Sequence, residues 1–415
     1  MTPVTWSTYD GVRDDVAPWL REVPAEWRFE KAKWFLSYCK QLNDHGTIDN
    51  VLSLTLRGVV NNDPDNPEGL VPKDYRTYQV FEAGDLVFKL IDLENVRTSR
   101  VGLVHERGIM SSAYIRVVPS AQWNPRFLYY FYFHLYEAEV FNKIGSGVRS
   151  TLGQADLLDL PIPVIGRDIQ DKIVGFLDEK CAKVDEAVRI KEEQIALLRE
   201  RRQILIQEAV TRGLNPNAPM KDSGIDWIGE IPAHWERRKI RHLFDIGRGR
   251  VIPREELVEG GKYPVFSSQT KNEGVFGYLD TFDFDTDQLT WTTDGANAGS
   301  VFRRRGRHNC TNVCGTLRPK SSELDLGFCV YAVGHAATFY KRPDTNGAKI
   351  MNEEMAAIEF PLPAFEEQVA LACRIDIQTR EIDNAVSIKE SQISALIEYK
   401  TTLINAAVTG KIKVA

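Results

Sequence analysis

The chain is 415 residues long, 43% hydrophobic and 27% charged, with a formal net charge of −6. That length calls for two or more domains, and the composition is that of a soluble globular protein. No apolar run approaches the ~18–20 residues of a membrane span, and the opening "MTPVTWSTYDGVRDD" lacks the regions of a signal peptide. The expected location is therefore cytoplasmic, with no membrane contact. The acidic balance excludes a general nucleic-acid coat protein.

The first region opens with the phrase "WLREVPAEW" (19–27). Within it "DLVFKLIDL" (85–93) and "SAYIRVVP" (112–119) read as short strands between turns. "PRFLYYFYFHLYEAEVFNKI" (125–144) reads as an aromatic-rich helix, and "GSGVRS" (145–150) as a turn. A proline pair at Pro161 then precedes a long helical stretch, 173–210, with no proline and one glycine, Gly175.

Two apolar stripes run along that stretch at heptad spacing. One is Cys181, Val188, Ile195, Arg202, Ala209; the other is Leu177, Val184, Lys191, Leu198, Leu205. These are the seam positions of a coiled coil with two charged interruptions. A third apolar line, Ile190, Leu197, Ile204, lies off the seam and suits another contact surface.

After a turn-rich linker, "RGLNPNAPMKDSGIDW", the entry phrase returns as "WIGEIPAHW" (227–235). In the second region "DQLTWTT" (287–293) and "GSVFRRRG" (299–306) read as strands. Charge is local here. Positions 231–254 carry seven Lys or Arg against two acids, and 301–320 carry six with no acid. "HNCTNVC" brings His308, Cys310 and Cys314 close in sequence, but no second pair stands at zinc-finger spacing, so packed cysteines are expected. The six scattered cysteines fit a reducing compartment.

A second proline pair at Pro361 precedes "DNAVSIKESQISALIEYKTTLINAAVT" (383–409), which aligns without a gap on "DEAVRIKEEQIALLRERRQILIQEAVT" (185–211). The seam recurs as Ile382, Val386, Ile393, Leu396 and Leu403, again with a lysine, Lys389, in a seam position. The chain thus reads as head, helix, second head, second helix. Two matched heptad helices pair most simply with each other, antiparallel, with a head at either end. Beyond the entry phrase the heads share little: "SSQTKNEGVFGYLD" has no counterpart in the first.

Catalytic signatures are missing. There is no Gly-x-x-x-x-Gly-Lys-Ser/Thr loop for nucleotide hydrolysis, and no Asn/Asp-Pro-Pro-aromatic stretch of an amino-methyltransferase. Glu398-Tyr399-Lys400 has nuclease-like spacing but lies on the coiled-coil helix, where charge pairing is the default. Two different heads on similar mounts suit an asymmetric, two-part target such as DNA. Modules read one face of a duplex when they sit ~34–36 Å apart.

Together "GIDWIGEIPAHWE", "GLNPNAPMKDSG", "PLPAFEEQ", "LINAAVTGKI", "LIDLENVRTSRVGLVHERGIMSSAY" and "LTWTTDGANAGSVF...CTNVCGTL" make the chain resemble, over nearly its whole length, the DNA specificity subunit of a type I restriction–modification system. The resemblance implies an α+β fold: target-recognition domains at 1–165 and 214–360, with conserved helices at 166–213 and 361–415 forming an antiparallel coiled coil. It implies that each head reads one half of a split DNA site, with the helices setting the spacer. Partners would be double-stranded DNA, two methyltransferase subunits and restriction subunits. The chain would be non-catalytic and hold no cofactor; S-adenosylmethionine, ATP and Mg would belong to the partners. Two departures stand out: "PIPVIGRDIQ" is two residues longer than "PLPAFEEQ", and "WLREVPAEW" lacks the glycine of Gly229.

Arg303, Arg304, Arg305 and Arg307 form the strongest basic cluster and would meet phosphates or guanine edges. Arg97, Arg100 and Arg107 are the parallel set in the first head. Ser111, Ser112, Thr293, Asn297 and Asn312 are candidates for base edges, and each is equally suited to cap a turn. Arg149 and Lys349, each ahead of a proline pair, are candidates for phosphate or for salt bridges. Trp291 reads as core, and Trp19, Trp27, Trp227 and Trp235 as structural. A coiled-coil scaffold with non-DNA partners is the alternative reading, and a self-contained nuclease a third.

Overall fold

The computed structural model describes residues 7–63, 72–93, 99–144, 151–345 and 347–414. The chain divides into two units, 1–191 with 391–415, and 192–390. Each unit holds one head together with a part of both long helices.

In the first unit a four-stranded antiparallel sheet orders its strands Leu36–Tyr38, Ile115–Pro119, Leu86–Phe88, Val101–Leu103. Two further antiparallel pairs, Leu52–Thr55 with Gly58–Asn61 and Gln79–Phe81 with Gly108–Met110, belong to the head. Helix α1 (Pro125–Glu137) starts where Asn124 caps its first turn and a proline occupies the first helical position. It buries Phe127, Leu128, Phe131, Tyr132 and Leu135. Short helices α2 (Val140–Ile144) and α3 (Gln154–Leu158) follow. Strand Pro161–Val164 pairs antiparallel with Arg28–Lys31 and leads into α4 (Arg167–Arg212).

The second unit repeats this plan. Strand Glu236–Lys239 pairs with Glu359–Leu362, with α5 (Ile240–Leu243) after the former. The main sheet is ordered Phe244–Arg248, Cys314–Pro319, Gln288–Thr292, Val301–Arg304, all antiparallel. In chain order both main sheets run first, fourth, second, third. Both are followed by a buried helix, here α6 (Leu326–Tyr340), capped by Asp325. A second sheet made from Val275–Leu279, Tyr263–Phe266, Arg307–Cys310 and Phe284–Asp285 belongs to this head. Helix α7 (Asn352–Ala357) precedes α8 (Phe365–Val408).

The helix seam follows the heptad expectation. Cys181, Val184, Ile195 and Ala209 are buried and Val188, Lys191, Leu198, Arg202 and Leu205 half-buried. Within the first unit α4 and α8 run antiparallel: Lys191 donates to Gln392 at 2.6 Å and Lys400 to Asp185 at 2.7 Å. Within the second unit the matching positions pair with the helices exchanged: Lys389 donates to Gln194 at 2.6 Å, and Arg202, in place of a lysine, faces Asp383 at 3.1 Å. The polar interruptions of the stripe are therefore cross-helix partners. Ile190, Leu197 and Ile204 are 41%, 64% and 48% exposed.

The doubled entry phrase closes each core. Trp235 is fully buried, and its ring lies against Gly213, which ends α4 at φ 75°. Trp27, 3% exposed, lies with Pro24 against Gly410, which ends α8 at φ 74°. Glycine serves at both helix ends because the left-handed cap strains any side chain and the ring crowds a Cβ, tightly at Gly213 and outright at Gly410. Trp19 packs on the first core, and Trp227 stacks on Phe339 at 4.5 Å. The first copy, which lacks the glycine, instead places Glu22 in the left-handed region, at φ 56°.

Candidate nucleic-acid interface

The heads sit on their helices through bonds that the repeat duplicates. Gln170 of α4 accepts the Asn124 N–H at 2.7 Å and donates to Ile165 O at 2.9 Å. Gln368 of α8 accepts the Asp325 N–H at 2.9 Å and donates to Pro363 O at 2.9 Å. Both amides are nearly fully buried. Tyr130 donates to Asp178 at 2.7 Å, and Tyr331 to Asp376 at 2.6 Å. Burial and the facing carboxylates push both phenols up, Tyr331 to about 12, so each stays a donor. None of these residues was singled out from sequence. The signal was present in the offset of 198 that relates Gln170 to Gln368 and Asp178 to Asp376.

The basic cluster splits by strand alternation. Phe302 and Arg304 face one way along Val301–Arg304, Arg303 the other. Arg304 is 3% exposed, with its guanidinium 3.6 Å from the centroid of Phe266 and 4.5 Å from that of Phe302. It donates to Thr290 Oγ1 at 3.0 Å and to Glu273 O at 2.6 Å. Burial lowers its pKa to about 10, so it remains a cation at neutral pH. Arg304 is thus a buried clamp and presents no free face to a phosphate. Arg303 is half-buried beside Asp287. Arg305 is exposed. Arg307 is exposed, pairs with Asp285 at 2.9 Å and lies over Phe282 at 4.7 Å.

Among the remaining candidates Thr293 is fully buried, its amide and hydroxyl both on Val313 O. Its place is the junction of two strands. Asn297 is half-buried and donates to Ser268 O at 3.3 Å. Asn312 is exposed, its carbonyl accepting from Arg248. Lys349 lies 3.9 Å from Asp344. Trp291 is core, donating to Ile350 O at 3.0 Å. The sequence-adjacent His308, Cys310 and Cys314 are all buried: His308 bonds Gln288, and Cys310 and Cys314 pack with Phe266.

In the first head Arg100 is 1% exposed and donates to Asp92 O at 2.6 Å and Ile91 O at 3.4 Å. It too is a buried clamp. Asp92, like Glu273, is a non-glycine residue in the left-handed region, at φ 54° and 50° respectively. Two heads that share little beyond the entry phrase thus each set a buried arginine on the carbonyl of a left-handed loop residue. Arg107 is exposed and pairs with Glu82 at 3.1 Å. Ser111 caps a turn by accepting the Ala113 N–H, and Ser112 lines a shallow depression with Lys40, Asp74 and Arg76. Arg97 and Arg149 lie outside the described residues.

The family model of the type I restriction modification DNA specificity domain matches residues 232–398. A Mycoplasma pneumoniae protein named as a type I specificity subunit N-terminus is 38% identical over 139 residues, which are 33% of this chain and 74% of that protein. The chain belongs to the type I restriction–modification DNA specificity family. Such specificity subunits are the non-catalytic, DNA-recognising component of their systems. Another Mycoplasma pneumoniae protein so named, S.MpnORF201P, is 29% identical over 217 residues, 52% of this chain and 82% of its own. A solved chain from work on complex assembly and conformational transition of the type I system has a TM-score of 0.68 at 14% identity, covering 94% of this specificity subunit and 99% of that chain. That likeness shows a shared fold. Among the described residues no helix is long and apolar enough to cross a membrane.

Proposed function

We propose that this specificity subunit reads a bipartite, asymmetric DNA site, one half by each head, and docks two methyltransferase subunits and, through the complex, restriction subunits. The observation that carries this reading is the duplicated mount. Gln170 and Gln368, with Tyr130–Asp178 and Tyr331–Asp376, hold two heads of the same sheet order whose sequences differ beyond the entry phrase. A repeated mount under diverged heads fits two different sequences read by one chain.

On this reading Arg303, Arg305 and Arg307, with Arg107 and Lys349, contact phosphate or guanine. Ser111, Ser112, Asn297 and Asn312 lie at or near the surface for base edges. Arg97 and Arg149 join them on sequence alone. The exposed line Ile190, Leu197, Ile204 serves a protein partner. S-adenosylmethionine, ATP and magnesium act in the partner subunits.

Selection from a random duplex library, with methyltransferase subunits present, tests the proposal. An enriched motif in two halves with a fixed gap is expected. No enrichment, or one contiguous motif, contradicts it.

A further inference from the structure

The second head carries a loop whose construction the assignment of phosphate contacts does not explain. Residues 267–274, "SSQTKNEG", connect strand Tyr263–Phe266 to strand Val275–Leu279. Gln269, Thr270, Lys271, Asn272 and Glu273 are all exposed. Three consecutive residues, Asn272, Glu273 and Gly274, are left-handed, with φ of 50°, 50° and 83°. For two non-glycine residues in a row this is a strained backbone, and it persists only where surrounding structure imposes it.

That structure is identifiable. Ser267 N–H donates to Gly274 O at 2.9 Å, closing the loop's base, and Gln269 donates to Val275 O. Asn297 reaches from the neighbouring turn to Ser268 O, and Thr311 Oγ1 lies 3.1 Å from Ser267 Oγ. The tightest hold is on the strained residue itself: Arg304 Nη1 to Glu273 O, 2.6 Å. Arg304 Nη2 is buried, with no hydrogen-bond partner among the described residues, and sits where a Cβ on Gly274 would come within 3.0 Å. A planar cation between Phe266 and Phe302 cannot slide, so the carbonyl it grips is fixed in place.

We propose that loop 267–274 is a base-reading element of the second head and that Arg304 is its positioning residue, acting on DNA through the loop. This rests on the reading of the heads as DNA-recognition modules. The exposed loop face offers a lysine and an asparagine side chain, groups suited to guanine and adenine edges. Fixing the backbone that carries them reduces the ordering cost on binding and favours discrimination. A phosphate contact and a positioning residue differ in measurable ways. Losing the first weakens all sequences alike and lowers the salt slope by about 1, whereas losing the second alters which bases are read.

The test uses the full chain with methyltransferase subunits, reading the methylated-adenine motif and the salt dependence of binding to the wild-type motif duplex. The double variant Lys271→Met/Asn272→Gly keeps the backbone conformation and strips the exposed groups. It is expected to reduce discrimination at base pairs of one half-site at least ~10-fold, as loss of a single base contact does, with the other half-site unchanged. Arg304→Met is expected to relax those same base pairs with the salt slope kept. An unaltered motif in the double variant overturns the proposal, whether or not Arg304→Met folds. So does an Arg304→Met protein with an intact motif, whether its salt slope falls by about 1 or all sequences weaken equally. If the wild-type chain yields no split motif, the DNA-recognition reading fails with it; if it does and the variants match it, only this inference fails.

Discussion

Gln170 accepts the backbone N–H of Asn124 at 2.7 Å, so the residue that caps α1 is itself held by α4. The same side chain donates to Ile165 O, so one buried amide satisfies two backbone groups. Replacing it with leucine leaves both without partners, at a cost of about 1–3 kcal/mol each. Gln170→Leu is expected to lower the denaturant midpoint of the first head and leave that of the second unchanged; Gln368→Leu does the reverse. Urea unfolding followed by hydrogen exchange in each head checks this, and equal effects on both heads would contradict separate fastenings.

Two left-handed glycines, Gly410 at the end of α8 and Gly229 in the second entry phrase, are a second checkable point. A Cβ on Gly410 would meet the Pro24 ring at 2.4 Å, and one on Gly229 would meet nothing within 4 Å. Both positions are left-handed, at φ 74° and 71°. Gly229→Ala is expected to cost only the backbone strain of ~1–2 kcal/mol, and Gly410→Ala clearly more. Thermal unfolding of the two variants gives the order.

Acid stability depends on His134. Its ring is 7% exposed, Nε2 has no partner among the described residues, and burial lowers its pKa to about 4. The unfolded chain therefore binds a proton that the folded chain refuses. The contribution is intact above the unfolded value of 6.5 and is lost as pH falls toward about 4. The loss is about 3 kcal/mol by the end of that window. His134→Phe is expected to flatten this part of the pH–stability curve, as read by the difference between wild type and variant from pH 7 to 4.

In the seam pair Lys191–Gln392 the lysine is half-buried and the glutamine exposed, so the pair contributes register more than stability. Lys191→Leu with Gln392→Leu is expected to raise the melting temperature of the first unit (1–191 with 391–415) by ~2–4 °C, the shift that ~1 kcal/mol produces in a unit of its size. A fall in melting temperature would give the polar pair a stabilising role.

The helices were legible because a seven-residue period survives substitution: even Lys191 and Lys389 held their seam positions. The entry tryptophans were legible as structure because the phrase is repeated. The common sheet order of the heads was not, since the order of strands rests on which residues face inward and not on their identity. Arg304 was misread as a contact by counting charge alone. The period of two, which puts it beside Phe302, was available in the sequence and places it inside. Arg100 carries no such signal, because its partners are backbone carbonyls of residues eight and nine positions earlier.

The central claim is that each head reads its own half of a split site. Exchanging residues 214–360 for the second head of another specificity subunit, and sequencing the methylated-adenine motif laid down with the methyltransferase subunits, tests it most directly. One half of the motif should change and the other should persist with the same gap. A change in both halves, or in neither, would contradict it.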